Sequence, residues 1–189
     1  ILTEQSLNLI YKEYFSSERL AVNDTEQFTP LRVSKKIIKL LIRLGLIDSN
    51  KKILDYGCGS NHLIKSIINR NYFPNSKFYG YDKFRSYINK NDTSYITSER
   101  LYKKSFNCIL LIEVIEHFRS PDKVLKKVYS LLQNNGHVFI TTPRQDSLKY
   151  FIYRSRWNEI QKKFHLMLFN KKNLKLLLVN SGFRQIEFV

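Results

Sequence analysis

The sequence predicts an α/β fold: a mostly parallel central sheet with helices on both faces, preceded by an N-terminal helical cap. Three observations carry that expectation. Short apolar runs alternate with helical segments of about 10 to 15 residues, which is the pattern of βαβ units. One of those runs, Asn107 to Ile112, is apolar after its first residue, as in strands buried on both faces of a parallel sheet. A third run ends in Asp55-Tyr56-Gly57-Cys58-Gly59, a glycine turn that feeds directly into a helix-like segment.

The elements follow in order. Leu7, Ile10, Tyr11 and Tyr14 fall at helical spacing, and a second helix over Leu31 to Leu44 repeats Ile37, Ile38, Leu41 and Leu44 before Gly45 closes it. These two helices make residues 1–50 the cap and leave 51–189 as the α/β domain. Ile53-Leu54 begins the first strand, Asn61 to Asn69 the helix after the glycine turn, and Lys77 to Tyr81 the second strand; Ser94 to Thr97 is a weaker strand candidate. After the run ending at Ile112, a helix starts with Ser120 as N-cap, Pro121 at its first position and Asp122 in its first turn. It presents Val124, Leu125, Val128, Leu131 and Leu132 on one face, and Asn134-Asn135-Gly136 stops it. A strand follows from His137 to Thr141, then a polar irregular region to about Asn170. A Leu-rich helix from Lys171 to Asn180 and a strand from Phe183 to Val189 finish the chain.

Composition bounds the function. The 189 residues make one domain's worth of chain, and 43% hydrophobic with 14% aromatic residues suffice for a buried core. No apolar run reaches the roughly 18 residues that span a bilayer, and Ile1 to Glu18 is too polar for a secretory leader, so no membrane partner and a cytoplasmic location are expected. Cys58 and Cys108 are too few for a disulfide framework and lack metal-ligand spacing. The net charge of +16 is the footprint of proteins that bind RNA or other polyanions, yet the lysines are spread in pairs along the whole chain, as on a solvated surface.

The glycine turn carries the first chemistry. Gly57 and Gly59 remove Cβ atoms beside a helix N-terminus, so that backbone can approach a ligand closely. Asp82 ends the next strand, where its carboxylate is placed to accept hydrogen bonds from both hydroxyls of a ribose. A nucleoside-containing cofactor is implied.

Leu54-Asp55-Tyr56-Gly57-Cys58-Gly59 resembles the first motif of the class I S-adenosylmethionine-dependent methyltransferases, in particular the subgroup related to the ubiquinone-biosynthesis O-methyltransferases. Further matches are Asp82, Phe106 to Phe118 with its Glu-x-x-Glu-His pattern, Asn135 to Pro143, and Gly182-Phe183. The resemblance covers residues 51–189 and implies the Rossmann-like methyltransferase fold with S-adenosylmethionine as cofactor. On that likeness Asp55, Gly57, Cys58, Gly59, Asp82, Lys83, Ile112 and Glu113 would contact the cofactor. Two positions depart from the pattern: Asn61 stands for a third glycine and can still cap the helix, and Asn107 stands for an Asp. Ile1 in place of Met, and the lack of residues after Val189 for the family's antiparallel seventh strand, lead to the expectation of a shortened chain.

Glu113-Val114-Ile115-Glu116-His117 leaves the carboxyl end of its strand, where donor and acceptor meet in such enzymes. A histidine titrating near neutrality suits a general base toward an acceptor hydroxyl, with carboxylates orienting it. His117, Glu116 and the downstream His165 are therefore the catalytic candidates. A metal reading exists beside this one, because small-RNA 2′-O-methyltransferases carry a similar Glu-x-x-Glu-His and a later His; structural hydrogen bonding is the third reading. Acid/base or substrate contact is taken forward, and no metal ligand is assigned. The expected activity is O-methylation of a small polar metabolite such as a quinone precursor or sugar. The alternatives are an RNA 2′-O-methyltransferase and a non-catalytic scaffold of the same fold.

Overall fold

The computed structural model describes residues 30–59, 61–83, 94–96, 101, 105–162 and 164–189. The helix expected around Leu7 to Tyr14 lies outside the described residues. Among the described residues four parallel strands form the sheet: β1 (Lys52–Tyr56), β2 (Lys77–Tyr81), β3 (Phe106–Ile112) and β4 (Leu132–Thr141), in the order β2-β1-β3-β4. The chain runs outward from β1 to β2, then returns to the other side of β1 for β3. The order therefore reverses beside β1, and at such a switch point a crevice opens at the carboxyl ends of the strands.

Alternation along the strands decides which layer each residue joins. Ile53, Cys108 and Leu110 face one layer, with Ile38, Leu41, Leu63, Ile64 and Ile67 from α1 (Pro30–Arg43) and α2 (His62–Asn69). Leu54, Ile109 and Leu111 face the other, with Leu125 and Val128 from α3 (Pro121–Ser130) and Leu174 and Leu178 from the C-terminal helix Lys171–Asn180. Helices thus cover both faces as expected. Each fully buried Leu or Ile contributes about 1.5–3 kcal/mol relative to exposure. Gly45 ends α1 at φ 65, a left-handed conformation that costs glycine little.

Four local expectations are corrected. β4 begins at Leu132 rather than His137, because Leu132 already pairs with Phe106; Asn134 to Gly136 then bulge out before His137 pairs with Cys108. Asn61 precedes α2 but does not cap it, since its side-chain amide donates to the Ser94 hydroxyl at 2.9 Å. Ser120 holds the N-cap position of α3 without a hydroxyl cap, and its carbonyl accepts from Lys123 N–H and Val124 N–H instead. Residues 183–189 form no strand: Gln185 is left-handed at φ 53, and Phe183 is drawn onto Tyr129 of α3 with ring centroids 5.2 Å apart.

The region expected to be irregular contains α4 (Leu148–Tyr153), a 3-10 turn (Arg154–Arg156) and α5 (Asn158–Gln161), followed by α6 (Lys171–Asn180). Ser147 caps α4 by accepting from Tyr150 N–H. Its apolar side chains Leu148, Phe151, Ile152 and Tyr153 are exposed, so no periodic pattern announced it.

Candidate active site

The first half of the site is the turn after β1. Gly57 N–H and Cys58 N–H both donate to the Tyr81 carbonyl, at 2.7 and 3.1 Å, which folds the turn against the end of β2. Gly57 is left-handed at φ 87, and a Cβ there would lie 2.7 Å from both methyls of Val114. Gly59, at φ 48, has no heavy atom of the described residues within 4 Å of its missing Cβ. The first glycine is thus required by packing and the second leaves an open approach. Gly59 N–H donates to Asp82 Oδ2 at 3.0 Å, so the acidic residue and the glycine turn are one unit.

Asp55 lies within β1 beneath this turn, only 5% exposed. Burial, and secondarily the charge of Asp82, push its carboxyl up to about 7. Asp82 is braced by Tyr95, whose hydroxyl donates to the Asp82 carbonyl at 2.6 Å and accepts from its N–H at 3.3 Å. Burial raises the Tyr95 hydroxyl to about 12, so it stays a donor. Sequence reasoning missed Tyr95; the weak strand expected at Ser94 to Thr97 was its only signal, and it survives as a single bridge between Tyr95 and Gly80. Lys83 follows with an exposed side chain. Cys108 is buried and its thiol is raised to about 12, which excludes it as a nucleophile.

The second half lies past the end of β3. Ile112 is its last residue, and Glu113 turns left-handed at φ 53 while its N–H donates to Thr141 at the carbonyl and the hydroxyl, 3.0 and 3.2 Å away. A 3-10 turn, Ile115–His117, then carries Glu116 and His117. The Glu116 carbonyl accepts from both Leu166 N–H and Met167 N–H, which brings the downstream segment and His165 alongside. Glu116, His117 and His165 are thereby brought together, with Nε2 of each histidine 3.9 and 4.0 Å from Glu116 Oε1. Thr142, inside the span Asn135 to Pro143 but not singled out there, donates to Glu116 Oε2 at 2.9 Å. Glu159 was also missed; its carbonyl lies 2.9 Å from His165 Nδ1 and its carboxylate pairs with Lys162.

Desolvation governs this cluster. Burial, reinforced by the Glu113 charge, raises Glu116 to about 7, and burial also raises Glu113. Burial lowers His117, against the opposing pull of its contacts with the Phe164 and Glu113 carbonyls, and burial with the neighbouring His117 brings His165 down to about 4. Both imidazoles are therefore neutral at pH 7. His62 opens α2 and His137 lies in β4, apart from this set. A cleft of about 480 Å³ between the start of α3 and α6 contains none of the predicted site residues.

A family model described as a methyltransferase domain matches residues 30–187. The chain belongs to this methyltransferase-domain family. Solved methyltransferases share its fold. The plantazolicin methyltransferase BpumL in complex with SAH is 18% identical over 93% of this chain and 74% of its own, with a TM-score of 0.61. A SAM-dependent methyltransferase from Archaeoglobus fulgidus is 20% identical over 80% and 69%, with a TM-score of 0.58. A methyltransferase solved with the Trm112 activator of Haloferax volcanii is 12% identical over 91% and 75%, with a TM-score of 0.61. No curated protein matches. At these identities the likeness to solved structures concerns the fold, and this methyltransferase domain owes its particular chemistry to its own residues.

Proposed function

We propose that this methyltransferase domain transfers the methyl group of S-adenosylmethionine to an oxygen of a small polar acceptor. The observation that carries the reading is the placement of two unlike half-sites on one edge of the sheet: a glycine turn locked to Asp82, and the buried Glu116, His117 and His165 beyond β3. The residues present fit the cofactor. A carboxylate buried at Asp55 favours a cationic partner, which the ammonium of the methionine moiety provides; Gly59 leaves room for its approach, and Asp82 with Tyr95 behind it suits a ribose diol. When bound, S-adenosylmethionine supplies an electrophilic methyl on a sulfonium. Asp55, Gly57, Cys58 and Gly59 hold its amino-acid end and Asp82 its ribose, with Lys83, Ile112 and Glu113 around them. The acceptor oxygen lies toward Glu116, His117 and His165. His117, neutral at pH 7, takes the hydroxyl proton, and Glu116 and His165 fix its orientation. Most of the acceleration comes from holding the two reactants in near-attack geometry.

Within this reading the ubiquinone-type subgroup, with quinone precursors or sugars as acceptors, rests on the motifs alone. An RNA acceptor is favoured by the +16 charge and by the set Glu113, Glu116, His117 and His165, which resembles that of small-RNA methyltransferases. The test is calorimetric titration with S-adenosylhomocysteine followed by an acceptor screen over phenols, sugars and RNA. Micromolar binding with transfer to a small hydroxyl supports the reading; no binding by a folded chain refutes it in favour of a scaffold.

A further inference from the structure

The half-site beyond β3 carries the opposite sign to the rest of the chain. Three carboxylates, Glu113, Glu116 and Glu159, act on one another through space: the Glu113 charge raises Glu116, and the Glu159 charge raises both. Lys162 lies beside them, but it is already paired with Glu159 at 2.7 Å, and His117 and His165 are neutral at pH 7. A chain of net charge +16 thus gathers a negative cluster at the place proposed for the acceptor.

One atom of this cluster calls for a donor. Glu116 is fully buried; its Oε2 accepts from Thr142 at 2.9 Å, and its Oε1 has no hydrogen-bond partner among the described residues. The ring of His165 stands beside it, with Nε2 4.0 Å from Oε1. His165 Nδ1 lies 2.9 Å from the Glu159 carbonyl, which only accepts, so Nδ1 carries the proton and Nε2 is an acceptor. Oε1 and Nε2 therefore cannot satisfy each other. An ammonium about 2.9 Å from each donates to both and balances the carboxylates around it. A hydroxyl has one hydrogen for two acceptors, and a water meets both but leaves the charge unbalanced.

We propose that the acceptor carries a protonated amine beside the hydroxyl it offers, and that Glu116 Oε1 and His165 Nε2 receive that amine within the negative potential of Glu113 and Glu159. The substrate class is then a small amino alcohol, amino sugar or aminoalkyl phenol rather than a neutral or anionic compound. Glu113 is exposed, and the His117 side chain is 17% exposed against 3% for His165, so the amine enters from their side. The inference rests on the methyl-transfer reading for the role of the hydroxyl; recognition of the amine does not require it.

The test is calorimetric titration of the whole chain, with and without S-adenosylhomocysteine. The probes are tyramine, tyrosol and para-hydroxyphenylacetate, which share a phenol and end in an ammonium, a hydroxyl or a carboxylate; glucosamine against glucose repeats the comparison on a sugar. We expect each amine to bind at least about tenfold more tightly than its neutral counterpart, and the carboxylate to show no binding. Glu116→Gln keeps the shape and should bring the tyramine-to-tyrosol ratio close to one. Glu159→Gln should lower that ratio, and Lys162→Met should raise it by freeing the Glu159 charge, with circular dichroism reporting the fold. If Glu116→Gln fails to fold, the direction of the Lys162→Met change decides. No amine binding by a folded parent chain, equal affinity for amine and neutral probe, or a ratio unmoved in the folded variants overturns the inference. S-adenosylhomocysteine binding without an amine preference removes this inference alone, whereas an amine preference without S-adenosylhomocysteine binding keeps the amine site and removes the methyl-transfer reading.

Discussion

The affinity of the chain for S-adenosylhomocysteine is predicted to rise with pH through neutrality, because of Asp55. In the free chain burial and the Asp82 charge lift its carboxyl to about 7, so near pH 6 only about one molecule in eleven carries the carboxylate, against about ten in eleven near pH 8. If the ligand ammonium requires the charged form, the apparent Kd falls about tenfold across that range, or about 1.4 kcal/mol. The ligand amine stays protonated throughout, so the step belongs to the protein. Calorimetric titration at several pH values is the assay. Asp55→Asn should bind more weakly with no pH step, and Asp82→Asn should move the step to lower pH, since the Asp82 charge helps raise Asp55. The same group sets stability without ligand. Its folded pKa lies above the unfolded 3.8, so the native chain holds the proton more tightly; stability is full below about pH 4 and falls as pH rises through 7. That fall is on the order of 4 kcal/mol and should vanish in Asp55→Asn. Affinity independent of pH, or weaker near pH 8, refutes the role given to Asp55.

Other substitutions separate packing from binding. Gly57→Ala sets a Cβ 2.7 Å from both Val114 methyls at φ 87 and should lower the melting temperature by several degrees, at about 1–2 kcal/mol for the conformation alone plus the clash. Gly59→Ala meets no such neighbour, so titration should show lost ligand affinity with a smaller stability change in the melting curve. Asp82→Ala should abolish measurable S-adenosylhomocysteine binding in the calorimeter. Glu113→Gly should match or exceed the parent in thermal stability, by up to about 1–2 kcal/mol, while losing transfer activity in a methylation assay. If RNA is the acceptor, electrophoretic mobility shifts should weaken steeply with salt; a salt-insensitive affinity removes that alternative.

Much of the fold was legible because the signals were local. The run ending at Ile112 is buried on both faces, and α6 matches its expected limits of Lys171 and Asn180. The glycine turn was legible because Gly57 must be glycine on packing grounds, a constraint that leaves a mark on sequence. What escaped was set by partners distant in the chain. Whether Ser120 or Asn61 caps its helix depends on where each side chain finds a better acceptor or donor, and Asn61 finds Ser94, 33 positions away. The expected strand after Phe183 had suitable residues but is held off by Tyr129, and only the packed structure reveals that competition. Tyr95, Thr142 and Glu159 act on the site through neighbours, and such supporting contacts have no spacing to read.

Glu113 explains why the two half-sites depend on each other. A non-glycine residue at φ 53 costs about 1–2 kcal/mol, and nothing in a strand end requires it. Its backbone is held from both sides: Thr141, at the end of β4, accepts from its N–H, and its carbonyl faces His117 Nε2 at 3.1 Å. The turn it makes starts the chain into Val114, whose methyls close on Gly57, and two residues later delivers Glu116 to Thr142. Straightening Glu113 would draw Val114 off the glycine turn and Glu116 off Thr142 together, loosening the ligand loop and the buried cluster in one movement. The strain at Glu113 is thus offset by contacts to both half-sites. For that reason the relative placement of the two proposed half-sites depends on this one backbone position.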